Sequence, residues 1–190
     1  MEKYVFFCSH NPAKYADNNG REVFSQWYPS LFKGISSVVY NTDSVLGAFN
    51  NLVNGKQFNC CEQWMMVMKT LLFAKGQHRE ANIDLFKKIM TSSDPSEMKN
   101  LGRTIIGFDQ KVWDEWKFKI VVNGNYLKFS QNDKLKDILL STNTDTLVEA
   151  AHYDRIWGIG YAESDALANK QNWGQNLLGK ALMDVRDLFK

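Results

Sequence analysis

Cys61-Glu62-Gln63-Trp64-Met65-Met66-Val67-Met68-Lys69-Thr70-Leu71-Leu72-Phe73 is the stretch whose reading decides the fold. Met65, Met68 and Leu72 recur at helical spacing, with Trp64 and Leu71 beside them, which predicts a helix with a buried apolar stripe. Glu62, Met66 and Lys69 fall at i, i+4 and i+7 and share another face of that helix. A carboxylate and an ammonium two turns apart on one face can line one cleft. A solvated face, with Glu62 settled at the positive helix end, accounts for the same spacing.

Toward the C-terminus, Ala81–Met90 carries Ile83, Phe86 and Met90 at the same period. Asp94-Pro95-Ser96-Glu97 is a helix start: Asp94 caps, Pro95 takes the first position and Glu97 completes a capping box. That helix is expected to stop near Gly102. Asp109 can cap a long helix through Val112, Trp113, Trp116 and Ile120 to about Phe129, weakened at Gly124. Asn132 can cap Asp133–Leu140. Leu178, Ala181, Leu182, Val185 and Phe189 mark the buried face of a final helix, Asn176–Phe189. Toward the N-terminus, Tyr4–Cys8 reads as a short buried strand and Asn18-Asn19-Gly20 as a turn. Phe24–Phe32 reads as an irregular aromatic loop around Pro29. Ser37–Tyr40, Gly55–Asn59 and Thr146–Ala150 are further candidate strands. A few strands followed by mostly helices is the order of an α+β fold, mostly helical with a few short strands. With 190 residues, three prolines and no repeat or linker, one domain over residues 1–190 is the simplest organisation.

Composition excludes several classes. Lys and Arg number 23 against 21 Asp and Glu, a net charge of +2, so bulk charge makes no case for nucleic-acid binding, although it says nothing about local clustering. Three cysteines, two of them adjacent, are no disulfide framework and fit a reducing, cytoplasmic setting. No apolar run approaches the length of a membrane span, so a soluble protein is expected. His10, His78 and His152 are far apart, and no zinc spacing is present; neither metal nor cofactor is expected. A nucleophile elbow, a phosphate loop and a dinucleotide fingerprint are all missing. Cys60 and Cys61 have no identifiable histidine partner and read as structural thiols.

Four further constellations could carry chemistry. Leu147-Val148-Glu149-Ala150-Ala151-His152-Tyr153-Asp154 leads from a strand through two acids to Trp157-Gly158-Ile159-Gly160. Glycines admit close approach to a ligand, and Trp157 offers a flat face for a base or sugar. A tight turn around a core tryptophan, with Asp154 as a cap, fits equally. Trp113 and Trp116 sit three residues apart on one helix and point roughly the same way; core packing accounts for at least one of them, while one exposed in a cleft could stack on a base. Arg103, after Gly102, could reach a phosphate or simply lie on the surface. Asn172-Trp173-Gly174-Gln175-Asn176 opens the final helix, where backbone N–H groups could bind an anion, or Asn172 or Asn176 could serve only as a cap.

Taken in order, these segments resemble the NADAR family, also called the YbiA-like family. The resemblance is carried by Phe24-Ser25-Gln26-Trp27-Tyr28-Pro29-Ser30, Cys61-Glu62-Gln63-Trp64-Met65-Met66 with Lys69, Leu101-Gly102-Arg103, Trp113 and Lys128-Phe129. It continues through Leu139-Leu140-Ser141-Thr142, Leu147-Val148-Glu149-Ala150 with Asp154, Trp157-Gly158-Ile159-Gly160 and Trp173-Gly174-Gln175-Asn176-Leu177-Leu178-Gly179. Leu182-Met183 and Val185-Arg186 close it. The resemblance implies a metal-independent N-glycosidase with Glu62, Trp113 and Asp154 as catalytic residues. Lys69 matches a lysine of the same helix in the family. Lys69, Arg103, Glu149, Trp157, Gly158 and Asn176 are the expected substrate-binding residues. Family activities include cleavage of early riboflavin intermediates with release of ribose 5-phosphate. They also include removal of ADP-ribose from modified guanine in nucleic acid. The segment Gly34–Gln57 is longer here than in the compact riboflavin-type members, which tilts the expected substrate toward an ADP-ribosylated base or NAD-derived nucleotide. A non-catalytic ADP-ribose-binding module is the alternative from another class. N-glycoside cleavage develops positive charge on the sugar, so a carboxylate, an acid near the base, an aromatic face and cations for phosphate are the groups it needs.

Overall fold

A computed structural model describes residues 2–15 and 19–190. In chain order the strands are β1 (Tyr4–Phe7), β2 (Phe32–Lys33), β3 (Gln57–Phe58) and β4 (Thr146–Glu149). The helices are α1 (Asp43–Leu46), α2 (Asn50–Val53), α3 (Cys61–Leu72), α4 (Arg79–Thr91), α5 (Pro95–Leu101), α6 (Gln110–Ser130), α7 (Asp133–Ser141), α8 (Glu163–Ala166) and α9 (Leu177–Leu188). The fold is α+β and mostly helical. The chain divides into two compact units, Pro29–Gln131 and the pair of segments Met1–Tyr28 and Asn132–Lys190. Asn18 of the expected turn lies outside the described residues.

The unit Pro29–Gln131 is built around α3, which packs against α1, α4, α5 and α6. Every residue of α3 except Lys69 is buried. The solvated face that the spacing allowed therefore does not exist: Glu62 is only 3% exposed. Polar side chains knit the helix to its neighbours. Gln63 accepts from the Asn59 N–H at 2.9 Å and donates to the Ile89 carbonyl at 3.0 Å. The Trp64 indole donates to the Ile120 carbonyl of α6 at 2.8 Å. Gly124 makes that contact possible, because a Cβ there would stand 2.4 Å from the Trp64 ring. Its role is close approach, and α6 runs unbroken through it for 21 residues.

The starts of α5 and α6 follow their expected caps, whereas α7 begins at Asp133 with no side-chain capping bond from Asn132. Asp109 accepts from the Lys111 and Val112 N–H groups, and Asp94 accepts from Ser96 N–H. Glu97 reaches the Ser92 hydroxyl, which itself accepts from the Asp94 N–H, so the expected capping box closes through a serine. Ser37–Tyr40 is not a strand. The Asn123 side chain accepts from Val39 and Tyr40 N–H and donates to the Ser36 and Tyr40 carbonyls, taking up the groups a ladder would need. Gly55–Asn59 yields only the two-residue β3, antiparallel to β2.

In the other unit, β1 and β4 pair in parallel, Tyr4 opposite Thr146 through Phe7 opposite Glu149. Phe6, Val148, Ala150, Ile159 and Ala166 form a buried cluster beside the strands, with Trp173 packed edge-on against Tyr4 and Phe6. Helix α9 lies against β4 so closely that a Cβ on Gly179 would meet the Leu147 carbonyl at 2.1 Å.

Candidate functional site

Within Pro29–Gln131, four of the residues singled out from the sequence come together. Glu62 opens α3 and Lys69 lies two turns on. The Lys69 ammonium donates to the Gly102 carbonyl at 3.1 Å and lies 5.4 Å from the centroid of the Trp113 ring. It also lies 4.7 Å from the ring of Phe108, a residue that the sequence did not bring forward. Gly102 gains this position because its missing Cβ leaves room for Met66, whose sulfur would otherwise stand 2.2 Å away. The loop after α5 therefore touches α3 beside Lys69. Burial pushes the Lys69 ammonium below the ordinary lysine range, the Glu62 carboxylate pulls it back up, and the Arg103 guanidinium pushes it down. Arg103 itself is exposed and bonds to Asn100. Trp113 is buried, as is Trp116, whose ring carries the Lys119 ammonium at 4.2 Å.

The second group lies in the other unit, where the loop after β4 meets the segment before α9. Asp154 Oδ1 accepts from both Ile156 and Trp157 N–H at 2.8 Å, so one oxygen of this acid orders the turn that carries Trp157. Backbone bonds then join the two segments. Gln175, Asn176, Leu177 and Leu178 N–H donate to the carbonyls of Arg155, Gly158, Ile156 and Trp157. These are the groups that could have bound an anion at the start of α9; they are committed to the loop instead. Asn176 is the N-cap residue of α9 at a left-handed φ of 51°, but its side chain makes no capping bond to the helix. Its amide bridges strand to helix, accepting from Glu149 N–H at 3.0 Å and donating to the Leu147 carbonyl at 2.9 Å. Gly158 is required by the same packing, since a Cβ would meet the Glu149 carbonyl at 2.7 Å. Glu149, at the carboxyl end of β4, acts on Cys8 and Tyr153: partial desolvation at these largely exposed side chains first, then the charge of Glu149, raises both groups.

The remaining candidates resolve simply. Burial pushes the Cys60 and Cys61 thiols up to about 11 and about 12, far from a thiolate nucleophile. Among the described residues no cluster of three or more His, Cys, Asp or Glu could hold a metal ion. No helix among them is long and apolar enough to cross a membrane.

Comparison with known proteins matches residues 6–190 to the NADAR domain. The chain belongs to the NADAR family. An N-glycosidase of Acanthamoeba polyphaga mimivirus is 40% identical over 191 residues, covering 98% of this chain and 96% of that protein. The chloroplastic riboflavin biosynthesis protein PYRR of Zea mays is 30% identical over 162 residues, covering 77% of this chain but 24% of that protein. The NMR structure of Escherichia coli YbiA superposes with a TM-score of 0.65 at 22% identity, covering 100% of this chain and 86% of that one, which establishes the shared fold. The NADAR match extends over both compact units.

Proposed function

We propose that this protein is an N-glycosidase that hydrolyses a ribosyl–base bond, with Glu62 as the carboxylate that stabilises the sugar cation. One observation carries the reading: a carboxylate 3% exposed lies two helical turns from a half-buried lysine, in a site lined by aromatic rings. Burying a carboxylate is costly unless the surroundings compensate it, and such sites are where functional acids are found. In the transition state the sugar carries positive charge, and a carboxylate held in low dielectric stabilises it more strongly than one in water. The relative named an N-glycosidase, 40% identical over nearly the whole chain, supports the same reaction.

In this reading Trp113 supplies a flat wall and Lys69 with Arg103 holds anionic oxygens of the substrate. In its own unit Asp154 organises the Trp157 turn; the family resemblance supports its role as the second essential carboxylate and that of Glu149 as a substrate-binding residue. Gly158 and Asn176 brace that loop. The chemistry asked of these side chains is acid–base and electrostatic and proceeds without a metal ion. A chelator should therefore leave turnover unchanged.

For the substrate, we favour an ADP-ribosylated base of the guanine type or a related NAD-derived nucleotide, free or carried on nucleic acid. The segment Gly34–Gln57 supports this. It folds into α1 and α2, and α1 packs on α3, the helix that bears Glu62. The similarity to a riboflavin biosynthesis protein favours a second reading, a phosphoribosyl aminopyrimidine cleaved to ribose 5-phosphate. Side-by-side assays of the purified chain on both compounds, following release of the free base, decide between them. Turnover of the ADP-ribosylated base alone supports the first; turnover of the aminopyrimidine alone replaces it with the second. Tight ADP-ribose binding with no hydrolysis of either would make the protein a binding module.

A further inference from the structure

The loop between α5 and α6 exposes two apolar side chains, Ile106 at 48% and Phe108 at 41%, yet it is held from several sides. Asn82, fully buried on α4, donates to the Phe73 and Ile106 carbonyls at 2.8 and 2.9 Å and accepts from Ile106 N–H at 3.1 Å. Gly107 takes a φ of +72° against His78, whose ring would stand 2.5 Å from any Cβ placed there. The Phe108 ring leans on Phe73, centroids 5.1 Å apart. Asp109 follows at once as the cap of α6. A buried amide and a left-handed turn thus fix a loop whose tip shows an aromatic ring to solvent. That ring lies against the ammonium of Lys69.

We infer that Phe108 is a positioning residue for Lys69: its ring, together with that of Trp113, holds the ammonium in place without neutralising it, so that the charge stays available to an anionic oxygen of the substrate. An aromatic face attracts a cation through its quadrupole and supplies no competing negative charge. Of the three N–H donors of the ammonium, one goes to the Gly102 carbonyl at 3.1 Å, and the two rings lie 4.7 and 5.4 Å away. The charged groups acting on Lys69 are Glu62 on its own helix and Arg103 on the loop after α5. The ligand class this arrangement takes is an anionic oxygen, that of a phosphate or pyrophosphate, carried on a glycoside. This inference rests on the reading of Lys69 as a substrate-binding cation.

The test compares the full chain with Phe108→Leu, which keeps apolar bulk and removes the ring, and Phe108→Tyr, which keeps the ring. Competitive acetylation with acetic anhydride across pH, read by mass spectrometry with exposed Lys56 as internal reference, titrates Lys69 without any substrate. Losing the ring removes an attraction that favours the charged form while leucine still excludes water. The Lys69 midpoint should then fall by about half a pH unit or more in Phe108→Leu and stay at the wild-type value in Phe108→Tyr. With the substrate turned over, KM should rise about threefold or more in Phe108→Leu with little change in kcat, and recover in Phe108→Tyr. A midpoint in Phe108→Leu that is unchanged or higher overturns the inference, as does an unchanged KM. A falling midpoint in a protein that hydrolyses no glycoside upholds the role of Phe108 and refutes the proposed function instead.

Discussion

Replacing Gly124 by alanine should destabilise the protein, although alanine is the better helix former. The site is the contact between α3, which carries Glu62, and α6, which carries Trp113. A Cβ at position 124 would stand 2.4 Å from Trp64 Cδ1 and 2.9 Å from both Cγ and Nε1. Trp64 is fully buried, and its indole N–H is held by the Ile120 carbonyl at 2.8 Å. Relief of the overlap must move the ring or spread the helices, at a cost of about 1–3 kcal/mol for overpacking. Moving the ring also strains a buried hydrogen bond, worth about 1 kcal/mol or more. Helix propensity returns only about 1 kcal/mol. The net loss is about 2 kcal/mol, which lowers the melting temperature by about 4–8 °C for a chain of this size. Thermal and urea unfolding followed by tryptophan fluorescence and near-UV circular dichroism measure it. A Gly124→Ala protein as stable as wild type would refute the argument that this glycine exists to seat Trp64.

Asp154→Asn keeps an oxygen that can accept from Ile156 and Trp157 N–H, so it should fold normally yet lose about 100-fold or more in turnover. Asp154→Ala should in addition lower thermal stability, and wild-type turnover in Asp154→Asn would confine this residue to shaping the turn. Lys128 is fully buried, and burial holds its ammonium below the ordinary lysine range. The unfolded chain then binds the extra proton between the depressed folded value and about 10.4, so stability linked to Lys128 rises with pH across that window. Urea unfolding of wild type and Lys128→Met from pH 7 to 10 should show the difference moving in favour of wild type; a constant difference counts against a buried, proton-shedding lysine. A native-state thiol titration with an aromatic disulfide reagent should report Cys8 alone, and all three cysteines after denaturation, because Cys60 and Cys61 are buried and Cys8 is exposed. Fast reaction of more than one thiol in the native protein would contradict that packing.

Much of the fold was legible because strong local signals agreed with burial. Periodicity located α3, α4 and α9 to within about two residues, and Asp94-Pro95 and Asp109 marked the starts of α5 and α6. What escaped was set by contacts distant in sequence. Ser37–Tyr40 has the composition of a strand, but Asn123, more than eighty residues away, claims its backbone. Helices α1 and α2 are four residues each, too short for a period to register. Gly124 looked like a weak point in a helix because its reason, the Trp64 ring, lies on another element. At the site, i, i+4, i+7 spacing placed Glu62 and Lys69 on one face but left its burial open; four neighbouring helices closed over it. Phe108 carried no signal of its own. The nearest sequence cue is its setting, a glycine before and the capping Asp109 after it, and the structure shows why: Gly107 has a positive φ and Asp109 caps α6.

The most direct test of the central claim is Glu62→Gln in the full chain, assayed for release of free base from an ADP-ribosylated guanine nucleoside and from a phosphoribosyl aminopyrimidine. Glutamine keeps the size and most of the hydrogen-bonding capacity of the side chain and removes the negative charge. Turnover should fall by about 100-fold or more while circular dichroism and melting temperature stay near wild type. Hydrolysis within a few-fold of wild type by a folded Glu62→Gln protein would contradict the assignment of Glu62 as the carboxylate that stabilises the sugar cation.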